Sequence, residues 1–228
     1  MKDRLHKEID GLKQQALSLV AVVEENVFMA VDALQKRNYT LARKVIDADS
    51  NVDELEVDLE EECLKILALY QPVANDLRFI ISILKMNGDL ERISDLAVNI
   101  AERAEFLSNR PPLKLSFDFR LMAEKVQVML RRSINALVEL DVRTAYDVCA
   151  SDDDIDAMNR TMYRVVEDAA RENPDDIERL LHYLGASRHL ERIADHATNI
   201  AEDVIYLING EIVRHHVIEA KKKNLSVD

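Results

Sequence analysis

Tryptophan is missing from this chain of 228 residues, and glycine and proline occur only four times each. Turns and sheet corners draw heavily on those two residues, so there is material for few connections. Only two cysteines, Cys63 and Cys149, are present, with no Cys-x-x-Cys pair. That argues against a disulfide framework or a structural zinc site and fits a reducing compartment. No uncharged apolar run approaches the roughly 18 residues a bilayer span requires, and the opening residues Met1-Lys2-Asp3-Arg4-Leu5-His6 run into a charged amphipathic stretch instead of an apolar signal core. The expectation is a cytoplasmic protein that meets a membrane only peripherally, through partners. Positive charge is short as well: 30 Lys and Arg stand against 43 Asp and Glu, a net charge of −13 that opposes a nucleic-acid backbone. The run Lys221, Lys222, Lys223 is too small to reverse that field. No stretch collects the basic residues a phosphate anion would want. Catalytic signatures are also missing, among them the Gly-rich phosphate loop, the Gly-x-Ser-x-Gly elbow, a Cys/His nucleophile setting and the Glu-x-x-His motif of di-iron bundles. No catalytic residue is assigned, and a non-enzyme is expected.

What is present is helix-forming. Hydrophobic residues make up 48% of the chain, and long segments rich in Leu, Ala, Glu, Arg and Ile carry few breakers. Apolar spacing predicts helices over 3–36, 40–70, 73–108, 115–140, 144–172 and 175–218, three plus three. Asn173-Pro174-Asp175-Asp176 combines a capping side chain, a proline at the first helical position and carboxylates at the positive end of the dipole. Ser108-Asn109-Arg110-Pro111-Pro112 is the one proline-rich link, and divides the chain into residues 1–110 and 111–228. Residues 90–102 (LERISDLAVNIAE) align without gaps on 190–202 (LERIADHATNIAE), with ten of thirteen positions identical. A shift of 103 aligns Asp49 with Asp152, Asp53 with Asp156, Val45 with Val148, Ala33 with Ala136 and Leu34 with Leu137. The change of offset falls in the loop between second and third helices, where a length difference does least damage. The fold class is therefore all-α: two tandem three-helix bundles related by internal duplication.

Glu91, Asp95 and Asn99, like Glu191, Asp195 and Asn199, are spaced by four and share a helix face within an arc of roughly 80°. Glu102 and Glu202 extend the stripe, while Leu90, Ala97, Ala101, Leu190, Ala197 and Ala201 lie opposite. A solvated face usually mixes signs, and Glu91 over Asp95 is a like-charge pair. Asp49 with Asp53, and Asp152 with Asp156, repeat the pattern on the second helix of each half. Facing carboxylates repel unless protonated, hydrated or bridged by cations, and oxygen donors suit hard cations or iron. The alternative is an ordinary wet surface. His182, His189 and His196 recur every seven residues on what reads as a partly exposed flank, not as ligands. Arg92 and Arg192 read as surface ion pairs with Asp95 and Asp195, and Met29, Met86, Met122 and Met129 as core filling.

Pro72 through Asn87 followed by GDLERISDLAVNIAERA, with LERIADHATNIAEDVIYLINGE in the second half and Asp76-Leu77-Arg78 before the first stripe, resembles the PhoU family across both halves. That resemblance implies tandem three-helix bundles whose acidic faces hold multinuclear metal clusters, with iron or other divalent cations. Carried over, the metal candidates are Asp49, Asp53, Glu91, Asp95 and Asn99, and Asp152, Asp156, Glu191, Asp195 and Asn199. It further implies a regulatory adaptor of phosphate uptake that keeps the phosphate-starvation response off when phosphate is plentiful. The implied partners are the ATPase subunit of the phosphate ABC importer, a sensor histidine kinase, and a second copy of the chain in a dimer. A carboxylate metal bundle with a storage or hydrolytic role is the alternative. Leu96 against His196, and Val57 against Arg160, break the internal symmetry, so the two stripes are expected to differ.

Overall fold

The computed structural model describes residues 2–210, which are helical almost throughout. α1 (Lys2–Lys36), α2 (Tyr39–Asp47) with α3 (Asp49–Tyr70), and α4 (Ala74–Ser108) form the first half. α5 (Phe119–Glu139), α6 (Val142–Glu172) and α7 (Ile177–Asn209) form the second. The single helix expected over 40–70 is interrupted at Ala48, whose N–H is shared between the carbonyls of Lys44 and Val45; its counterpart α6 runs unbroken. The last helix stops at Asn209, where Gly210 takes the left-handed φ of 71° that a glycine C-cap accepts without strain. The expected extension over 211–218, and the basic run at 221–223, lie outside the described residues.

Duplication shows in the joints. Arg37 and Leu140, equivalent at the shift of 103, both adopt left-handed φ values of 52° and 54°. The next residues, Asn38 and Asp141, both cap: Asn38 accepts from Leu41 N–H at 3.1 Å, Asp141 from Arg143 and Thr144 N–H at 2.9 and 3.3 Å. The expected cap at Asn173 is not made by its side chain. Instead Pro174–Asp176 forms a single 3₁₀ turn before α7, and Asp176 pairs with Arg179 one turn on. Proline suits that first turn because its lost N–H has no intrahelical acceptor there. α5 starts at Phe119, four residues later than expected, because Asp118 accepts the Leu121 N–H and so caps the helix there, leaving Leu113–Phe117 outside it.

α4 and α7 pack against each other at the centre; α1, α2 and α3 cover α4, and α5 and α6 cover α7. Ala97, Ala101, Ala197 and Ala201 are wholly buried, and such small side chains let two helices approach closely. One hydrophobic core runs through both halves. Equivalent residues share environments: Ala33 and Ala136, Leu34 and Leu137, and Val45 and Val148 are all buried. Met86, Met122 and Met129 fill that core as expected, and Met29 packs against it. Among the described residues no helix is long and apolar enough to cross a membrane.

Candidate functional site

Each half's two acidic helices pack side by side, α3 on α4 and α6 on α7. In the first half Asp49 at the start of α3 accepts a hydrogen bond from Ser94 Oγ of α4 at 3.2 Å. Partial burial raises its pKa, the Ser94 bond opposes that rise, and Asp53 and Asp95 add to it. Glu91 is likewise raised, first by burial and then by Asp95, with Arg92 opposing and Glu56 and Asp53 contributing. Four of the five predicted residues of this half, Asp49, Asp53, Glu91 and Asp95, therefore feel one another's charge. Arg92 bridges two of them, 3.2 Å from Glu91 and 3.1 Å from Asp95, the ion pair expected of it.

In the second half the crowding is more severe. Asp152 is pushed up to about 6 by burial, then by Asp195, Asp156, Asp153 and Glu191. Glu191 is raised by desolvation, Asp195 and Asp156 against Arg188 and Arg192, and Asp195 by desolvation and Asp156 against His196 and Arg192. Burial contributes most to the rise at Asp152, which is the more deeply buried of the pair, and two substitutions add to the contrast. Ser94 is replaced by Ala194, which removes the hydroxyl donor, and Ser50 is replaced by Asp153, which adds a charge. Arg160 sits 3.3 Å from Asp156 and supplies one compensating cation on the exposed side.

Asn99 and Asn199 do not join these clusters. Asn99 Nδ2 donates to the Asp95 carbonyl of its own helix at 2.7 Å, and Asn199 Nδ2 turns to Asp89 of α4 at 3.4 Å. Glu56 is a residue that spacing missed: its carboxylate accepts from Asn87 Nδ2 at 2.9 Å, and its charge reaches Glu91. Asp49, Asp53 and Glu56 run at four- and three-residue steps along α3, the signal that could have found it. Among the described residues no three Asp, Glu, His or Cys side chains form a group closed around one point. The donor chemistry, clustered oxygen ligands whose charges destabilise one another, fits a hard cation; these residues form open rows, not a finished cage.

The histidine row is not a loose exposed flank. All three rings face α4 and are partly buried: His182 stacks on Phe106 at 3.6 Å between centroids, and His196 Nδ1 lies 2.8 Å from Asp89 Oδ1. Among the described residues His189 has neither kind of partner, and burial together with Arg103, Arg192 and Arg188 lowers its pKa to about 4.

Those three arginines correct the expectation that no site gathers basic residues. Arg103 of α4, Tyr163 of α6, and Gly185, Arg188, His189 and Arg192 of α7 line a cleft of about 380 Å³. Arg192 lines this cleft; its charge reaches Asp195, but among the described residues it makes no close ion pair there as Arg92 does with Asp95. Arg188 and Arg192 are four residues apart and visible as a row in the sequence, but Arg103 is remote from them in the chain and only the α4–α7 packing supplies it.

The PhoU domain model matches residues 16–104 and again 119–204, one match per half. A phosphate-specific transport system accessory protein PhoU homolog of Aquifex aeolicus is 42% identical over 218 residues, covering 96% of this chain and 99% of that protein. PhoU homolog 1 of Thermotoga maritima is 38% identical and covers 92% of each. The crystal structure of PhoU from Pseudomonas aeruginosa superposes with a TM-score of 0.85 at 38% identity, covering 90% of this chain and 99% of that one. That of the phosphate transport system regulatory protein PhoU from Streptococcus pneumoniae gives 0.82 at 29% identity, covering 92% and 99%. With the motif doubled in sequence, the acidic rows doubled in space and the family's domain matched in both halves, this chain belongs to the PhoU family.

Proposed function

We infer that the protein is an accessory protein of phosphate-specific transport, acting as a regulatory adaptor and not as an enzyme. Its relatives carry the accessory name over nearly their whole length, which supports the coarse role. The finer reading is that it keeps the phosphate-starvation response off when phosphate is plentiful. It does so from the cytoplasm, as a dimer, through contacts with the ATPase subunit of the phosphate ABC importer and with a sensor histidine kinase. The observation that carries an adaptor with a metal-organised face is the repeated acidic row, in which Asp152, Glu191 and Asp195 are all raised by desolvation and mutual repulsion.

A multinuclear metal, iron or another divalent cation, would be held by Asp49, Asp53, Glu91 and Asp95 in one half and Asp152, Asp156, Glu191 and Asp195 in the other. Asn99 and Asn199 stand at the ends of the rows. Bound metal supplies positive charge that cancels the repulsion between these carboxylates. The protein residues do the rest: α3–α4 and α6–α7 fix the spacing of the rows, and Arg92 and Arg160 restrain Glu91, Asp95 and Asp156 from outside.

Two measurements test this. Elemental analysis of fresh protein should find metal that a variant with Glu91, Asp95, Glu191 and Asp195 changed to Ala lacks; equal content in both removes the metal assignment. Pull-down from phosphate-replete cells should recover the importer ATPase and the kinase, and recovery of neither defeats the adaptor assignment. Steady turnover of phosphate esters would instead support the hydrolytic alternative.

A further inference from the structure

Because residues 85–103 and 185–203 align at a constant shift of 100, each side of the α4–α7 contact has a counterpart on the other. On one side Lys85 Nζ reaches Asp203 Oδ1 at 2.7 Å, and Asp89 Oδ1 lies 2.8 Å from His196 Nδ1. Lys85 and His196 thus each have a carboxylate. On the other side Gly185 takes the place of Lys85, Arg103 that of Asp203, His189 that of Asp89 and Leu96 that of His196. Both of those carboxylates have gone, and a guanidinium has come in. The outcome is visible in the atoms: Arg103 Nε and both ring nitrogens of His189 are buried and have no hydrogen-bond partner among the described residues.

Gly185 makes this arrangement possible. A Cβ at that position would lie 2.3 Å from Arg103 Cζ, so the guanidinium rests against α7 only because the side chain there is a hydrogen. Arg188 and Arg192, one helical turn apart on α7 and exposed, stand at the mouth of the same cleft, with Tyr163 on the α6 wall. Glu102 and Glu191 act on these arginines as neighbouring charges, not as hydrogen-bonded partners.

Buried polar atoms are almost always satisfied, and like charges gather against their own repulsion only where something offsets it. A carboxylate presents two oxygens in one plane, whereas three guanidiniums and an imidazole from two helices approach from several directions. A tetrahedral oxyanion offers acceptors on all of them, and arginine forks match its edges bidentately. The cleft, about 380 Å³, has room for such an anion and for a group attached to it. We propose that the Arg103–Arg188–Arg192 cleft between α4, α6 and α7 binds an oxyanion of the phosphate class, either free inorganic phosphate or the terminal phosphoryl group of a nucleotide. The proposal depends on neither the metal nor the adaptor contacts.

The test is titration calorimetry of the full chain with inorganic phosphate and, separately, ADP, with a chelator present so that anion carried on carboxylate-bound metal is not read. Saturable single-site binding is expected for at least one probe. Arg103→Gln should weaken it by about ten- to a hundredfold, the loss of one charged hydrogen-bonding group. Gly185→Ala should weaken it as well, by pushing the guanidinium aside while lengthening no loop and removing no charge. That second variant keeps the test decisive if Arg103→Gln folds poorly. Tighter phosphate than ADP assigns the cleft to the free anion, and the reverse order to a phosphoryl group; both support the site. No saturable binding of either probe, or affinity unchanged in both variants, overturns it.

Discussion

The two acidic rows repeat one pattern and differ in how deeply their aspartates are buried and in two side chains beside them. Asp49 has the Ser94 hydroxyl to hold its charge; Asp152, with Ala194 at the position equivalent to Ser94, is driven up to about 6 by burial first and then by Asp195, Asp156 and Asp153. The central α4–α7 contact is divided too: Lys85 and His196 each meet a carboxylate on one side, where Arg78 Nε is left over, and on the other Arg103 Nε and both His189 ring nitrogens share one cleft without partners among the described residues. The difference teaches that the two halves share a scaffold and differ in which of its polar groups find partners. A group left short of a partner in a folded protein costs stability, so the gathering of Arg103 Nε and both His189 ring nitrogens in one cleft beside two further arginines points to a ligand and not to the fold.

The comparison can be broken most forcefully at the core. Leu90 and Leu190 are equivalent and fully buried, and truncation of either to Ala should cost about 2–5 kcal/mol. Because one core runs through both halves, chemical denaturation of each variant should remain a single transition with similar midpoints. Two separate transitions would mean that the halves unfold independently.

Next in size is the satisfied side of α4–α7. Asp89→Ala removes the acceptor of His196 and of Asn199, leaves a partly buried ring short of a partner, and should cost about 1–3 kcal/mol by equilibrium unfolding. Leu96→Ala on the opposite side deletes no polar bond. A double variant should therefore be additive unless the two sides are coupled through α7.

Asp152→Asn sharpens the contrast between the rows. Its folded pKa lies above the ordinary value of 3.8, so the native state binds the extra proton and stability is lost as pH rises from about 4 through 6. Above that window the charged Asp152 opposes folding. In metal-free protein at pH 7 the Asn variant should be more stable by about 1 kcal/mol, after allowance for solvent screening. The gain should disappear near pH 4, where the folded parent is neutral at this position too. A gain that persists there, or a loss at pH 7, would show that the charge on Asp152 is not what opposes folding. Adding metal should reverse the order, since the parent alone then offers the full row.

Much of the fold and of the acidic rows is legible in the sequence. The breakers are few enough that helix number follows closely from counting them, and the ungapped repeat around Leu90 and Leu190 specifies two equivalent bundles. Asp49, Asp53, Glu91 and Asp95 and their counterparts fall together because residues spaced by four share a face of any helix, whatever it packs on. Helix ends are harder. Asn173 has the right chemistry for a cap but serves to end α6, its N–H bonding the Ala169 carbonyl, and Asp118 displaces the start of α5. The cleft is illegible for a different reason: its central guanidinium and its glycine lie on helices separated by most of the second half, and their meeting follows from the packing of α4 on α7. Asn99 and Asn199 share the periodicity of the carboxylates but not their surroundings, because periodicity gives a face and says nothing of which neighbour an amide will choose.

The smallest expected effect separates the rows at their source. Ser94 is buried, and its hydroxyl reaches α3 through the 3.2 Å bond to Asp49. Ser94→Ala makes the first half resemble the second, removing a donor that favours the charged carboxylate. The cost at pH 7 should be about 0.5–1 kcal/mol, the usual net worth of such a bond. Because the bond favours the ionised form, that cost should fade as pH drops below the ordinary range of Asp49. Denaturant unfolding at pH 7 and again near pH 3 measures it. A cost equal at both pH values would assign the effect to packing of the serine and leave burial and the neighbouring carboxylates as the sources of the difference between the two rows.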